Sequence, residues 1–326
     1  MEIFTTIKSN SELLWGIHLN MGILVKAIAA LLLLIVGIFL VNTYWIYIVP
    51  ILEEILSTLK ETRIRYIILA ISVYLLSVYL FAVRWQQVLS CIGYDLNATS
   101  LFPIFFGAVF INNITPGGTM AGGESFRILW VNKRFGISYT NAFKTIFFER
   151  LVEAIPVVFL LIYILYSFPS LEFKSLPLID SLTLKSINLL LLALLAAGIT
   201  IGYFRSKCAS LLKNMQKNWE QFKKSFIPIL LLSCGVWTFD IIRLKLVALA
   251  LNINFSLSLI ITISILSLLL GALSLTPGGL WIIEGGLVSL LLYSGLPLAS
   301  AGSFVFLERF VSYGLSSVIG FLYLSY

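Results

Sequence analysis

The stretch TPGGTMAGGESFRILWV, Thr115–Val131, sets a proline and two glycines in the middle of apolar sequence, and the same TPGG returns in TPGGLWIIEGG, Thr276–Gly286. Proline removes a backbone donor and glycine takes backbone angles that other residues avoid, so each stretch ends a helix. The setting gives that break its meaning. The chain of 326 residues is 60% hydrophobic and 11% charged, with a mean hydropathy of +1.01, whereas a soluble domain carries about 25% charged residues. The composition is that of an all-α polytopic membrane protein. Inside a bilayer, the backbone groups freed at a break must face protein or a wet cavity. A helix end held there offers N–H groups and a positive dipole end to an anion such as a lipid phosphate. One break is more simply a packing kink; two at matching places favour a site.

Outward from the breaks, apolar runs fall at about Met21–Val49, Ile64–Cys91, Ser100–Thr115, Ala142–Phe168, Ser186–Phe204, Phe226–Leu251, Phe255–Thr276, Leu280–Ser294 and Leu298–Leu324. A span needs about 20 apolar residues. The first run lacks a small-residue cleavage site and Ile23–Val49 is long for a signal segment, so it is expected to stay as a span. Tyr44, Trp45 and Tyr47 sit where an interfacial aromatic belt would lie. Two amphipathic pieces, Ile51–Leu59 and the basic Cys208–Phe222, are expected as helices lying in the interface.

The landmarks repeat. Arg84 recurs as Arg243, Thr115-Pro116-Gly117-Gly118 as Thr276-Pro277-Gly278-Gly279, and Glu149-Arg150 as Glu308-Arg309, at offsets of about 160 residues. Each copy is a long helix with arginine, an apolar segment, the TPGG break, a return segment, and a long helix with Glu-Arg. Loop charge orients the copies. Arg205–Lys224 is strongly basic and Glu124–Lys144 moderately so, which places both in the cytoplasm, while Val49–Arg65 and Ser167–Lys185 are balanced and suit the outer side. All four are satisfied if the segments flanking each TPGG dip in and return. The expectation is two inverted repeats with about six full spans and two re-entrant helical hairpins broken at TPGG, in the plasma membrane with both termini cytoplasmic. Residues 1–326 then form one transmembrane domain: 1–59 the first span and interfacial helix, 60–168 repeat one, 169–225 a connecting span and the basic helix, 226–326 repeat two.

Charges inside these helices are expensive, about 2.5–3.5 kcal/mol at the bilayer centre, so they are expected to face the interior and pair. The candidate substrate-binding residues are Arg84, Pro116, Gly117, Gly118, Glu124, Arg127, Glu149, Arg150, Arg243, Pro277, Gly278, Gly279, Glu284, Glu308 and Arg309. Their arginines would hold phosphate bidentately. The plainer alternative is ion pairs that lock helices together, Arg127 with Glu124 and Arg309 with Glu308. Glu153, Asp240 and Lys245 are also polar in apolar surroundings. The single histidine, His18, and three scattered cysteines leave no expected metal site, cofactor or nucleophilic catalytic centre. No P-loop occurs. The net charge of +7 flanks apolar segments instead of building a nucleic-acid surface.

PGGTMAGGESFRILWV at Pro116–Val131, the FFER ending at Arg150, TPGGLWIIEGGLVSLLL at Thr276–Leu292 and the closing FLERFVSYGLSSVIG resemble, in order and spacing, the flippase-like transmembrane region of lysylphosphatidylglycerol synthetases and their stand-alone relatives. The resemblance runs from about Met21 to the C-terminus. It implies movement of membrane lipid between leaflets, an anionic phospholipid or a polyprenyl-phosphate-linked headgroup, with no cofactor. Trp281 departs from the small residue usual after PGGL, which implies a narrowed second site. The soluble aminoacyl-transferase domain is not expected after Tyr326, so lysyl transfer is not expected either. The alternatives are a non-transporting scaffold for a glycosyltransferase or lipid-modifying enzyme and, more weakly, an intramembrane enzyme on lipid-linked sugars. A homo-oligomer or an enzyme partner stays open.

Overall fold

The computed structural model describes residues 49–115, 121–167 and 219–325, with Leu31, Thr43 and Trp45 besides. The chain divides into two units, Met1–Leu56 and Ser57–Tyr326. Residues 49–56 of the first are helical, within the amphipathic helix expected from Ile51. The expected span at Ser186–Phe204, most of the span at Met21–Val49 and of the interfacial helix at Cys208–Phe222, and Pro116, Gly117 and Gly118 lie outside the described residues.

The second unit is all-helical among the described residues. It comprises α1 (Ile64–Ser90), α2 (Ala98–Ile114), α3 (Ala121–Phe135), α4 (Tyr139–Ser167), α5 (Trp219–Ala250), α6 (Leu257–Leu273), a 3-10 turn (Pro277–Gly279), α7 (Ile282–Tyr293), α8 (Leu298–Arg309), a π-turn (Phe310–Gly314) and α9 (Leu315–Ser325). Helices α1 and α5, and α8 with α9 taken as one run, are long and apolar enough to cross a membrane. α4 has 29 residues. α2 and α6 have 17 each, α3 has 15 and α7 only 12. At 1.5 Å per residue, α7 measures roughly 18 Å. The sequence LSLIITISILSLLLGAL of α6 is apolar all round, as a helix with no aqueous face must be.

The order long helix, 17-residue helix, break, short helix, long helix occurs twice. The backbone carries the same period: the left-handed residues Gly93 (φ 88°) and Gly136 (φ 68°) correspond in position to Asn252 (φ 60°) and Gly295 (φ 89°). Packing follows suit. α1 lies along α5; α9 of the second half packs on α2 of the first, and α4 of the first packs on α6 of the second. The halves thus clasp each other by their last helices. Close approach depends on missing side chains: a Cβ on Gly320 would sit 2.2 Å from the Phe106 carbonyl oxygen, and one on Gly123 would sit 2.7 Å from that of Ala108.

Three local findings adjust the sequence reading. α5 is already helical at Trp219, so Trp219–Phe222 belongs to a membrane helix and not to a separate interfacial one. The reason is packing: Phe222 is buried against Phe148 of α4, ring centroids 4.3 Å apart. Lys245 is explained by the loop after α5, where its Nζ donates to Asn254 Oδ1 and the Phe255 carbonyl, both at 2.7 Å. Trp281 has a left-handed backbone (φ 70°) and is 86% exposed. It points away from the protein and narrows no site.

Candidate functional site

In the first half six charges form one alternating chain. Glu124 of α3 meets Arg150 of α4 at 2.6 Å, Arg150 meets Glu153 at 2.7 Å, and Glu153 meets Arg84 of α1 at 3.2 Å. Arg84 then meets Glu149 at 3.4 Å, and Glu149 meets Arg127 of α3 at 2.6 Å. Arg84, Arg127, Glu149 and Glu153 are all buried. Burying such charges is tolerable only because each finds an opposite partner. Arg84 also donates to Ser233 of α5 at 3.2 Å, which ties the chain to the second half. Arg127 stacks over Trp85 at 4.0 Å and Phe105 at 4.5 Å, a cation–π arrangement that suits a desolvated guanidinium.

The pairing differs from the expected Arg127–Glu124 pair. Although Glu124 and Arg127 are three residues apart on α3, Arg127 turns to Glu149 and Glu124 to Arg150. Adjacent Glu149 and Arg150 do not pair with each other, because neighbours on a helix point in different directions. The same holds in the second half. Glu308 takes Arg243 of α5 at 3.1 Å, while Arg309 takes Glu284 of α7 at 2.7 Å. These contacts repeat Arg84–Glu149 and Arg150–Glu124 at corresponding positions. Each Glu-Arg dipeptide therefore joins its helix to two others.

The halves are not equal. Arg243 also holds Asp240 at 2.8 Å, and Asp240 accepts from the Ser264 hydroxyl of α6. Nothing in the second half corresponds to Arg127, whose place by the repeat falls at Leu287, and Ser312 stands where Glu153 would. Ser312 donates to Glu308 Oε1 at 3.1 Å. The first half balances three arginines against three carboxylates, whereas the second sets two arginines against three.

Two cavities open on these charges. A central one of about 330 Å³ lies between the halves, lined by Glu124, Arg127, Arg150 and Glu153 from the first and by Asp240, Arg243 and Glu308 from the second. A second, of about 340 Å³, lies where the end of α2, the 3-10 turn and the π-turn meet, with Gly278, Glu284 and Arg309 in its wall. The single site expected between two TPGG turns is thus divided: Gly278, Glu284 and Arg309 line the second cavity, and Glu124, Arg127, Arg150, Arg243 and Glu308 the central one. Arg84 and Glu149 lie behind the wall of the central cavity and line neither. Pro277 and Gly279 shape the turn, in which Gly278 (φ 61°) and Gly279 (φ 72°) both have left-handed φ and Gly278 alone of the three lines the cavity.

Sequence reasoning passed over Trp237, Tyr74, Ser264 and Ser316, all in the central wall. Trp237 is buried, and among the described residues its Nε1 and the Nε of Arg127 have no hydrogen-bond partner. The Tyr74 hydroxyl meets that of Ser316 across the two halves. One signal could have found Tyr74: by the repeat it corresponds to Ser233, the hydroxyl that meets Arg84. The π-turn after Arg309 left no mark in the sequence, although such turns gather at functional sites.

Two like sets of apolar helices, closed by buried arginine–carboxylate pairs around a shared cavity, define an integral membrane protein that is all-helical among the described residues. The chain belongs to the family described as the lysylphosphatidylglycerol synthase TM region, whose model matches residues 28–320. This bears out the resemblance carried by the TPGG, FFER and FLER stretches. The chain is similar to a UPF0104 membrane protein of Methanocaldococcus jannaschii, 26% identical over 321 residues that cover 91% of this chain and 95% of that protein. A UPF0104 membrane protein of Pyrococcus horikoshii is also 26% identical, over 324 residues that cover 89% of this chain and 94% of the relative.

Proposed function

We propose that the protein moves a phospholipid or a lipid-linked headgroup between leaflets, as a flippase or scramblase-like transporter, with the headgroup held in the central cavity. The carrying observation is the cavity itself: about 330 Å³ of space between two like halves, walled by buried charges from both. Pockets of this size suit small ligands. Charged residues within a bilayer face the bundle interior, pair, and mark substrate paths. Arg127, Arg150 and Arg243 in the cavity wall carry the guanidinium groups that suit a phosphate.

An inverted topology belongs to the same proposal. α7 and α3, with 12 and 15 residues, fall short of the roughly 30 Å of hydrocarbon a span must cross, which supports reading each as the return arm of a re-entrant hairpin. With the basic loops inside, the first hairpin opens to the cytoplasm and the second to the outside, and both termini are cytoplasmic. A second reading, a non-transporting scaffold for a lipid-modifying enzyme, draws on the closed pairing of the first half, which would lock helices without any ligand. Reconstitution of the purified protein into vesicles with a fluorescent phospholipid decides between them. A transporter exposes the label on both leaflets without other proteins, and a protein that leaves it on one leaflet is not one.

A further inference from the structure

The charges around the central cavity do not balance. In the first half the chain from Glu124 to Arg127 sets three arginines against three carboxylates. The second half brings a single arginine, Arg243, between Glu308 at 3.1 Å and Asp240 at 2.8 Å. The surplus negative charge belongs to Asp240. By the repeat its place falls at Phe81, whose ring lies 5.0 Å from the Arg84 guanidinium. Where the first half sets a ring beside its arginine, the second sets a carboxylate. Lys245 of the same helix does not offset it, because its Nζ is held by Asn254 and the Phe255 carbonyl.

Asp240 is also open to the cavity. Its side chain is 30% exposed, against 7% for Arg243 and 6% for Glu308. Of the helices packed against α5, α1 brings the Tyr74 hydroxyl to the wall and Arg84 behind it, and α8 brings Glu308. α6 brings only the hydroxyls of Ser264 and Ser267, and α4 brings Arg150 and Glu153, which pair with each other. Glu124 and Arg127 of α3, both paired with α4, and Tyr313 of the π-turn complete the titratable groups of this wall. None of them supplies the missing positive charge. An ionisable side chain left over within a membrane marks a substrate or proton path, and its charge is felt strongly where the dielectric is low.

The local geometry suits a proton. Both Arg243 bonds fall on Asp240 Oδ1, from Nη2 at 2.8 Å and Nε at 3.3 Å, and Oδ2 is left to the Ser264 hydroxyl. A hydroxyl donates or accepts, so a proton on Oδ2 reverses that bond and moves no heavy atom. A metal ion would need several free oxygens, whereas the two carboxylates here share a guanidinium whose charge repels it.

We propose that Asp240 is a proton-binding site of the central cavity, and that its protonation admits an anionic headgroup. A proton from water forms an O–H bond at Oδ2, Asp240 becomes a neutral acid, and Arg243 with Glu308 leaves the wall neutral. The proton site stands on the charges alone, whereas its coupling to a headgroup rests on the function proposed above.

The test uses the full chain in detergent, labelled with carboxyl-carbon-13 aspartate and carrying Asp95→Asn and Asp180→Asn, which leaves Asp240 as its one aspartate. Infrared difference spectra on acidification should show the C=O stretch of a protonated carboxyl, shifted by the label, and Asp240→Asn should abolish it. Dioleoylphosphatidylglycerol is then added to the unlabelled natural chain, with binding read from tryptophan fluorescence, since Trp237 lines the cavity. Its affinity should fall about tenfold per pH unit above the midpoint of the infrared band, with about one proton taken up per lipid bound. Asp240→Asn should hold the acid-state affinity at every pH. A band that ignores the label, or no band, would overturn the proton site, and so would a band lost on exchanging potassium for sodium chloride. Lipid affinity that is flat in pH would overturn the coupling, as would tighter binding of a dioleoyl trimethylammonium lipid. The labelled spectra need no change at Asp240, so a misfolded Asp240→Asn leaves the test decisive. If phosphatidylglycerol binds at no pH, the headgroup reading fails while the lipid-free spectra still decide the proton site.

Discussion

Glu149 is the hub of the first half, and Glu149→Gln measures what the charge chain is for. Its carboxylate is 1% exposed and takes Arg127 at 2.6 Å and Arg84 at 3.4 Å. Glutamine keeps the shape and loses the charge. Arg84 retains Glu153 at 3.2 Å, so it is not stranded. Arg127 has no other ion pair among the described residues and is left with the faces of Trp85 and Phe105. A buried charge deprived of its partner costs about 3–5 kcal/mol, so the single variant should lose about that much stability. Adding Arg127→Gln removes the stranded charge and should return about 2–3 kcal/mol, the upper range for residues in one network. The assay is unfolding in mixed micelles over a denaturing-detergent series, read beside lipid transport in vesicles. A loss below about 1 kcal/mol for Glu149→Gln, or no recovery in the double variant, would refute the account of the chain as mutually dependent ion pairs. The transport arm separates structure from substrate. If Arg127 holds the headgroup, the double variant regains stability and stays inactive; if it serves only as a lock, activity returns with stability.

Two other outcomes check the clasp and the topology. Gly320→Ala puts a methyl group 2.2 Å from a main-chain oxygen of α2 that cannot step aside, and should destabilise by about 1–3 kcal/mol. Gly285→Ala, with nothing within 4 Å, should be neutral or slightly stabilising, and equal losses for both in the same unfolding assay would discredit the close approach of α9 and α2. Single cysteines at Ser138 and Pro297, exposed positions that correspond in the two halves, should react with an impermeant maleimide from opposite sides of oriented vesicles. Reaction from one side only would make the repeats parallel instead of inverted.

The sequence by itself determined the membrane class, because a chain 60% hydrophobic and 11% charged has no aqueous fold to adopt. It also determined the internal period, since Arg84, the TPGG break and Glu149-Arg150 recur in order, and from those stretches the family. Local chemistry is enough for such conclusions: hydrocarbon fixes span lengths, and proline with glycine fixes where helices end. The partners of the charges were decided only by the tertiary structure. Glu124 and Arg127 share a helix face in sequence, yet each pairs with a residue of α4, because the angle at which α3 meets α4 sets which side chains reach. The division of the candidates between two cavities had the same cause. Glu124–Arg150 and Glu284–Arg309 are equivalent by sequence, but packing opens the first pair to the central space and the second to a separate pocket behind Tyr313. Trp237 gave no signal at all, since an apolar helix shows which residues avoid water and not which of them face each other across a void.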